Sequence, residues 1–300
     1  MRVSMTMVAA VIMWSVTPVI LLSQPDSPAS KLAFVANLDG NWDLFIANDD
    51  GTGLERLTQT PYDEQSPCLS LDGREIAYAS SDGYLRIMDL ESRAVETLPK
   101  ADTTTIESQP CFAPTQDKMV YVVFSGEGMD DSDLGIHDRK DDVSRLFFSQ
   151  VSVQLFPAWS PDGREIAYAN VHCSLGCGRI IDELWVVDSN ARLARQILLT
   201  NSHCLRPSWS PAGDRIAFSS DMAGNFDIYV FDLTTDSLSQ VTTHPAGDTN
   251  PSWSRNRGRI AFNSTRSGMA EIWITTPVGD SPKVFRPFGN KQVECMDPSW

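Results

Sequence analysis

The side chains best suited to thiol and metal chemistry fall in two short segments of the chain. They are His172, Cys173, Cys177, His203 and Cys204. Thiolate and imidazole groups are ligands that zinc and copper prefer in proteins. The three cysteines could instead supply a disulfide that fastens an enlarged loop, and oxidising surroundings favour that pairing. Because six cysteines allow many pairings, the sequence leaves both interpretations open.

A second set of candidate ligands consists of carboxylates. They are Asp63, Glu64, Glu107, Asp248 and Glu294. Oxygen ligands suit calcium, and concentrated negative potential attracts a basic peptide. The alternative interpretation is a solvated acidic rim on an acidic protein. We therefore expect no cofactor, with calcium as the candidate ion at these carboxylates.

Signatures of the common enzyme classes are missing from the sequence. It contains no G-x-S-x-G nucleophile elbow, no P-loop and no dinucleotide-binding fingerprint. Its four histidines form no paired motif such as H-E-x-x-H. The sequence thus assigns no catalytic residue.

The charge balance narrows the class of partner. The chain has 24 Lys and Arg against 39 Asp and Glu, for a net charge of -15, and its basic residues form no cluster. Nucleic acids and anionic membrane surfaces require a positive patch, so neither is an expected partner. A protein or peptide, basic in character, is the expected one.

The first 29 residues read as a targeting segment. An apolar run extends from Met7 to Leu22 behind Arg2, and it is shorter than the roughly 20 residues of a membrane span. Ser27-Pro28-Ala29 then provides a small-x-small site of the kind that signal peptidase cleaves. We expect either a signal peptide or an uncleaved anchor. Both place the remainder in the periplasm or outside the cell.

The rest of the chain repeats one motif. Five copies begin at residues 67, 110, 157, 207 and 251, and they read PCLSLDGREIAYAS, PCFAPTQDKMVYVV, PAWSPDGREIAYAN, PSWSPAGDRIAFSS and PSWSRNRGRIAFNS. Their spacings of 43, 47, 50 and 44 residues match the length of a four-stranded propeller blade. Each copy offers a P-x-W-S strand, a turn with Asp-Gly or its equivalent, and an I-A-Y/F strand. Helical periodicity is missing, so the fold class is all-β.

The two ends of the repeat region complement each other. Residues 31–58 supply the second, third and fourth strands of a unit, and residues 297–300 supply the missing first strand. Pairing them makes a sixth blade and closes the ring, which removes free sheet edges. Six copies of the second strand follow from this reading, at Leu32, Ile76, Met119, Ile166, Ile216 and Ile260.

The motif resembles the repeat of TolB-like β-propellers, which reads P-x-W-S-P-D-G-x-x-I-A-F/Y and continues into a D-I-Y-V-M-D-type strand. The resemblance covers the chain from Lys31 to Trp300. It implies a periplasmic or extracellular platform that binds other proteins.

The propeller reading also positions the candidate residues. The loop between second and third strands shares a face with the loop leading into the next blade, so Cys173 and Cys177 could meet Cys204. The five carboxylates would ring the mouth of the central channel. Cys68 and Cys111 replace the Ala or Ser of other P-x-W-S copies, which indicates small-residue packing, with a cross-link between blades as the alternative.

We therefore predict a six-bladed propeller over residues 30–300, closed by the C-terminal strand and monomeric. The expected function is non-catalytic binding of a protein or peptide. The alternative is a lyase or hydrolase acting on a carbohydrate or small molecule, with a metal-assisted site in the channel mouth. A third possibility is a fragment of a larger machine.

Overall fold

The computed structural model describes residues 30–100, 102–125, 131–173, 180–256 and 258–300, the side chains of residues 172 and 173 excepted. Its regular structure consists of 24 strands in six four-stranded antiparallel sheets. The described part of the chain holds no helix that is long and apolar enough to span a membrane.

Each sheet is one blade, and strands are numbered in chain order. Blade 1 contains β24 (Glu294–Ser299), β1 (Lys31–Asn37), β2 (Trp42–Asn48) and β3 (Glu55–Arg56). Blade 2 contains β4 (Glu64–Leu69), β5 (Glu75–Ser80), β6 (Leu85–Asp89) and β7 (Val95–Thr97). Blade 3 contains β8 (Ile106–Phe112), β9 (Lys118–Phe124), β10 (Ser132–Asp138) and β11 (Val143–Phe148).

Blade 4 contains β12 (Val153–Trp159), β13 (Glu165–Cys173), β14 (Ile180–Asp188) and β15 (Ala194–Leu198). Blade 5 contains β16 (Cys204–Trp209), β17 (Arg215–Ser220), β18 (Asp227–Asp232) and β19 (Ser237–Gln240). Blade 6 contains β20 (Asp248–Trp253), β21 (Ile260–Ser264), β22 (Glu271–Thr275) and β23 (Lys283–Val284).

The second strand of every blade is buried on both faces, because each sheet lies between two neighbouring sheets. The six residues predicted to mark these strands are all completely buried, namely Leu32, Ile76, Met119, Ile166, Ile216 and Ile260. Short side chains alternate with large ones there, as in the run Ile216, Ala217 and Phe218, so adjacent sheets can approach closely. The predicted all-β repeat fold is confirmed.

The ring closes through the two ends of the repeat region. Strand β24 pairs with β1, and Val35 lies opposite Met296. The innermost strands also contact one another in cyclic order, from β24 through β4, β8, β12, β16 and β20 back to β24. This confirms the predicted six-bladed propeller and its closure, which leaves no blade with an unpaired first strand.

Each innermost strand carries a β-bulge at its proline. In blade 2 the register shifts between Gln65 and Cys68, which leaves Ser66 and Pro67 outside the ladder. Proline has no N–H to donate, so the bulge removes it from a position where a ladder hydrogen bond is required. The residue before each proline has a φ between 50° and 57°, and we call the six together the bulge ring: Ser66, Gln109, Phe156, Arg206, Asn250 and Asp297.

A tight turn follows each complete innermost strand. In blade 2 the Ser70 hydroxyl accepts a hydrogen bond of 2.9 Å from the N–H of Glu75, and Gly73 adopts a φ of 71°. Glycine takes this left-handed conformation without steric cost, and the turn lies where the Asp-Gly of the repeat predicted it. We call the side of the disc that carries these turns the turn face. The opposite side, where the innermost strands begin, is the lead-in face.

Candidate functional site

A cavity of about 530 Å³ lies on the axis of the propeller. Its wall begins at the bulge ring and extends along the ends of the innermost strands to the first residues of the turn face. Six prolines of the innermost strands and four tryptophans contribute much of its surface, the latter being Trp159, Trp209, Trp253 and Trp300. The wall of the cavity is therefore mainly apolar, and at one end it reaches the turns.

The charged residues of this wall are few. Among the described residues that line the cavity, they are Arg206, Arg255 and Asp297. The lining thus carries one more positive than negative charge, in a protein whose net charge is -15. None of the five carboxylates predicted to ring the channel mouth belongs to it.

Asp297 connects four blades at the bulge ring. Its carboxylate accepts a hydrogen bond of 2.6 Å from Asn250 Nδ2 in blade 6 and one of 3.2 Å from the N–H of Ser66 in blade 2. Arg206 of blade 5 approaches it with Nη1 at 3.3 Å. The N–H of Asp297 donates to Asn263 Oδ1 at 3.1 Å. This carboxylate therefore holds one half of the ring together.

The other half of the bulge ring is joined differently. The N–H of Phe156 donates to Gln109 Oε1 at 2.6 Å, and the Arg206 guanidinium lies 4.3 Å from the centre of the Phe156 ring. Residues other than glycine rarely adopt a positive φ, so six of them around one axis, Phe156 and Arg206 included, represent backbone strain that the fold retains. The bulge ring directs a different side chain into the cavity from every blade.

The residue after each proline joins neighbouring blades. Ser299 Oγ accepts from the N–H of Leu69 at 2.9 Å, and Ser252 Oγ accepts from the N–H of Trp300 at 3.1 Å. Cys68 Sγ accepts from the N–H of the next blade's first strand, at 3.3 Å. The sequence indicated only that small residues pack at this position. The structure adds a hydrogen-bonding role, which accounts for the serines and cysteines.

Cys68 and Cys111 are free thiols in the cavity wall. The thiol of Cys111 is hydrogen-bonded to Cys68, which lowers the pKa of Cys68 and raises the pKa of Cys111 well above its ordinary value. The two cysteines belong to adjacent innermost strands, as the repeat predicted. They meet as hydrogen-bonded thiols and not as a cross-link.

Arg255 occupies the turn-face end of the cavity. Its guanidinium donates from Nε to the carbonyl of Trp300 at 3.0 Å and from Nη2 to the carbonyl of Leu69 at 2.5 Å, and it also donates to the carbonyl of Ser70. Within the described residues it has no carboxylate partner, and burial lowers its pKa. Blades 3, 4 and 5 have a proline at this position.

The predicted carboxylates lie at the lead-in face, where the innermost strands begin. Glu64 is buried and accepts hydrogen bonds from Thr58 at 3.1 Å and from Thr60 at 2.7 Å, and burial raises its pKa. Asp63 beside it is exposed and accepts from the N–H of Trp42 at 2.8 Å.

The remaining three carboxylates differ in environment. Asp248 is buried and forms an ion pair of 2.6 Å with Arg266, and Glu107 is buried beside Tyr121, whose pKa is raised by burial and by that carboxylate. Glu294 is exposed. Among the described residues, no three His, Cys, Asp or Glu side chains are arranged to hold a metal ion.

The thiol and imidazole candidates are described in part. Nδ1 of His203 lies 2.5 Å from Asp182 Oδ2, and the backbone N–H of His203 donates to Asp221 Oδ1 at 2.9 Å. Cys204 is a free, fully buried thiol, and burial raises its pKa to about 11. It packs in the core that blades 4 and 5 share, and the disulfide predicted among Cys173, Cys177 and Cys204 stays a prediction. The side chains of residues 172 and 173, and all of residue 177, lie outside the described residues.

A closed ring of six four-stranded sheets around an axial cavity defines the protein as a six-bladed β-propeller. The family model described as the TolB beta propeller domain matches residues 116–293, and the chain belongs to that family.

Two curated relatives illustrate how far the similarity extends. The protein TolB homolog of Chlorobium luteolum is 26% identical over 144 residues, which cover 47% of this chain and 31% of the relative. The Tol-Pal system protein TolB of Francisella tularensis is 25% identical over 249 residues, covering 76% of this chain and 54% of the relative. The chain thus spans between a third and about half of the length of these relatives.

The fold is also that of a solved TolB structure. The crystal structure of TolB from Acinetobacter baumannii aligns with a TM-score of 0.74 at 18% identity, covering 90% of this chain and 66% of that one. At this identity the likeness shows a shared fold.

The sequence did not single out the bulge ring or Arg255. Two signals were present in it. The bulge ring consists of the residues that precede the six repeated prolines, and these residues vary from blade to blade while the prolines do not. Arg255 departs from the proline of the repeat. Where a residue near the axis differs from its equivalents in the other blades, its side chain gives this part of the cavity wall its own chemistry.

Proposed function

We propose that this chain is an exported, non-catalytic propeller that binds a protein or peptide partner at the turn-face mouth of its axial cavity. The observation that carries the proposal is the cavity itself, which is apolar, on the axis and large enough for several side chains. The relatives named as Tol-Pal system proteins support a role in an assembly of proteins.

The rim of the cavity suits a protein segment. Leu71 lies at the rim with 54% of its surface exposed, and Pro114, Pro161 and Pro211 occupy the same position in blades 3, 4 and 5. Proline rings hold the rim in one conformation, so a partner would lose little free energy to ordering the site. The aromatic wall below the rim would receive apolar side chains of the partner.

Export and charge extend the proposal. The apolar segment from Met7 to Leu22 and the small-x-small site behind it support a periplasmic or extracellular location. The net charge of -15 would draw a basic partner towards the surface by long-range attraction, with a dependence on salt. The protein would act as a monomer.

The alternative of a metal-assisted lyase or hydrolase in the channel mouth stays a prediction, because the side chains of His172 and Cys173 and all of Cys177 lie outside the described residues. The described residues offer no group of metal-ligating side chains for it to use.

Site-specific photocross-linking tests the proposal. A photoreactive amino acid replaces Leu71 at the rim, and the matched control replaces Leu238 in the outermost strand of blade 5, where 39% of the side chain is exposed. In the cells that produce the chain, we expect one adduct of discrete mass from position 71 and none from position 238. Identical adducts from both positions, or none from position 71, would overturn the proposal.

A further inference from the structure

We propose that the axial cavity binds a terminal carboxylate carried on an apolar body, with Arg255 at the turn-face end as its cationic anchor and Arg206 at the bulge ring as a second positive charge in the wall. This deepens the proposed function and rests on it for the location of the site. The sequence led us to expect that a ring of carboxylates binds a cation, whereas this proposal has the cavity bind an anion.

The first argument is the charge inside the cavity. Arg206 and Arg255 face it, whereas Asp297 is the one carboxylate among its described lining residues. The remaining wall is made mainly of proline, tryptophan, phenylalanine and small residues, which strengthen electrostatic interactions by excluding water. An anion entering this space would meet a net positive charge.

The second argument is the state of Arg255. Its guanidinium donates to three backbone carbonyls, which carry partial charges only, and no carboxylate among the described residues forms an ion pair with it. Burial lowers the pKa of Arg255 more than the attraction of Asp72 raises it. A half-buried cation without a direct ion pair is unfavourable, and binding an anion would relieve that cost. Three N–H groups are engaged out of the five that a guanidinium carries, so two are free for a carboxylate.

The third argument is the position of Arg206. Asp297 already accepts two hydrogen bonds from other residues, and its contact with Arg206 is the longest of the three, at 3.3 Å. The guanidinium lies over the ring of Phe156, 4.3 Å from its centre, a cation–π contact that helps to hold its position. Arginine presents two parallel N–H donors to a carboxylate, a geometry that adds both strength and selectivity.

The apolar wall defines the rest of the ligand. Four tryptophans and Phe112 contribute to the wall, although each is at least nine-tenths buried between the blades, and prolines and small residues supply the rest. A volume of about 530 Å³ holds an aryl or branched aliphatic group together with its carboxylate. Such a group can come from a free organic acid or from the C-terminal residue of a peptide. Both present the same chemistry, and the experiment separates them.

Tryptophan fluorescence of the full chain provides the measurement, because four indoles line the cavity. The probes are 3-phenylpropionate and its neutral amide, and a short peptide ending in phenylalanine with either a free carboxylate or an amide. We expect each acid to bind at least tenfold more tightly than its amide, about 1.4 kcal/mol. A peptide acid that binds more tightly than 3-phenylpropionate would identify a chain terminus as the source, and the reverse order would identify a free acid.

Two variants and one control complete the test. Arg255→Gln should weaken acid binding at least tenfold, Arg206→Gln should weaken it by a smaller factor, and both should leave amide binding unchanged. Arg195→Gln, on the outermost strand of blade 4, should bind the acids as the unmodified chain does. Equal binding of acid and amide, absence of binding, or full binding by folded Arg255→Gln would overturn the inference. Cross-linking from position 71 uses no acid, so the proposed function can succeed where this inference fails.

Discussion

Arg206 and Asp297 approach each other across the axis of the propeller, with Nη1 3.3 Å from Oδ1, although blade 6 separates their blades in the ring. The contact is possible because both residues precede a proline at a bulge, where the backbone turns the side chain towards the axis. Asp297 is also hydrogen-bonded to both adjacent blades. The strained bulges thus bring side chains from around the ring to one place.

Asp297→Ala should reduce the stability of the whole ring. The change removes the acceptor for Asn250 and for the N–H of Ser66, so we expect the free energy of unfolding to fall by about 2 kcal/mol. Urea denaturation measures it, with Glu91→Ala in an exposed turn as the control. A loss no greater than that of the control would show that Asp297 does not hold the ring.

Cys68→Ala and Cys68→Ser separate packing from hydrogen bonding at the inter-blade position. Alanine fits the space but cannot accept from the N–H of Phe112, so it should cost about 1 kcal/mol of unfolding free energy. Serine retains an acceptor and should cost clearly less than alanine in the same thermal or urea unfolding measurement. Equal stability of the two variants would leave packing as the sole role of the position.

Glu64→Gln should alter how stability depends on pH. Burial raises the pKa of Glu64 above 4.5, so the folded state holds this proton more tightly than the unfolded state does. The stabilisation that the protonated Glu64 gives to the folded state is therefore fully present below about pH 4.5, and it is lost as the pH rises through the folded-state pKa. Glutamine does not titrate, so the variant should gain stability relative to the unmodified chain as the pH is raised through this range.

Urea denaturation at a series of pH values measures that difference. Glu91→Gln, whose side chain is exposed, supplies the matched control and should show a difference that does not change with pH. A constant or decreasing difference for Glu64→Gln would contradict the assigned direction.

Asp248→Ala tests whether this carboxylate is a structural partner. The change leaves the buried Arg266 without its ion pair and should lower the free energy of unfolding by about 3 kcal/mol. The double variant Asp248→Ala with Arg266→Ala should recover part of that loss. For comparison, Glu165→Ala breaks the exposed pair with Arg195 and should cost about 0.5 kcal/mol or less. Added calcium that stabilises the unmodified chain and not the Asp248→Ala variant would instead favour a metal site.

The repeat could be read from the sequence because its signals are local. Burial of Ile76 or Ile216 follows from a strand pattern that spans a few residues, and closure follows from complementary strands at the two ends. The contacts among the side chains that line the cavity could not be predicted in the same way. Asp297 meets Ser66 and Arg206 only after the ring has closed, since these residues are far apart in sequence.

For the carboxylates, the sequence predicted the positions in the fold but not the burial or the partners. Their positions at the starts of innermost strands followed from the repeat, but burial of Glu64 and the pairing of Asp248 depend on Thr60 and Arg266, which the motif does not include. Partners contributed by neighbouring strands decide whether a side chain at the axis faces a ligand or its own blade.

The central claim is that the axial cavity, and not the carboxylates of the lead-in face, receives the partner. The most direct test compares photocross-linking from Leu71 on the turn face with that from Tyr62 on the lead-in face, since 54% and 43% of these side chains are exposed. The account predicts an adduct from position 71 and none from position 62. An adduct from position 62 with none from position 71 would contradict it.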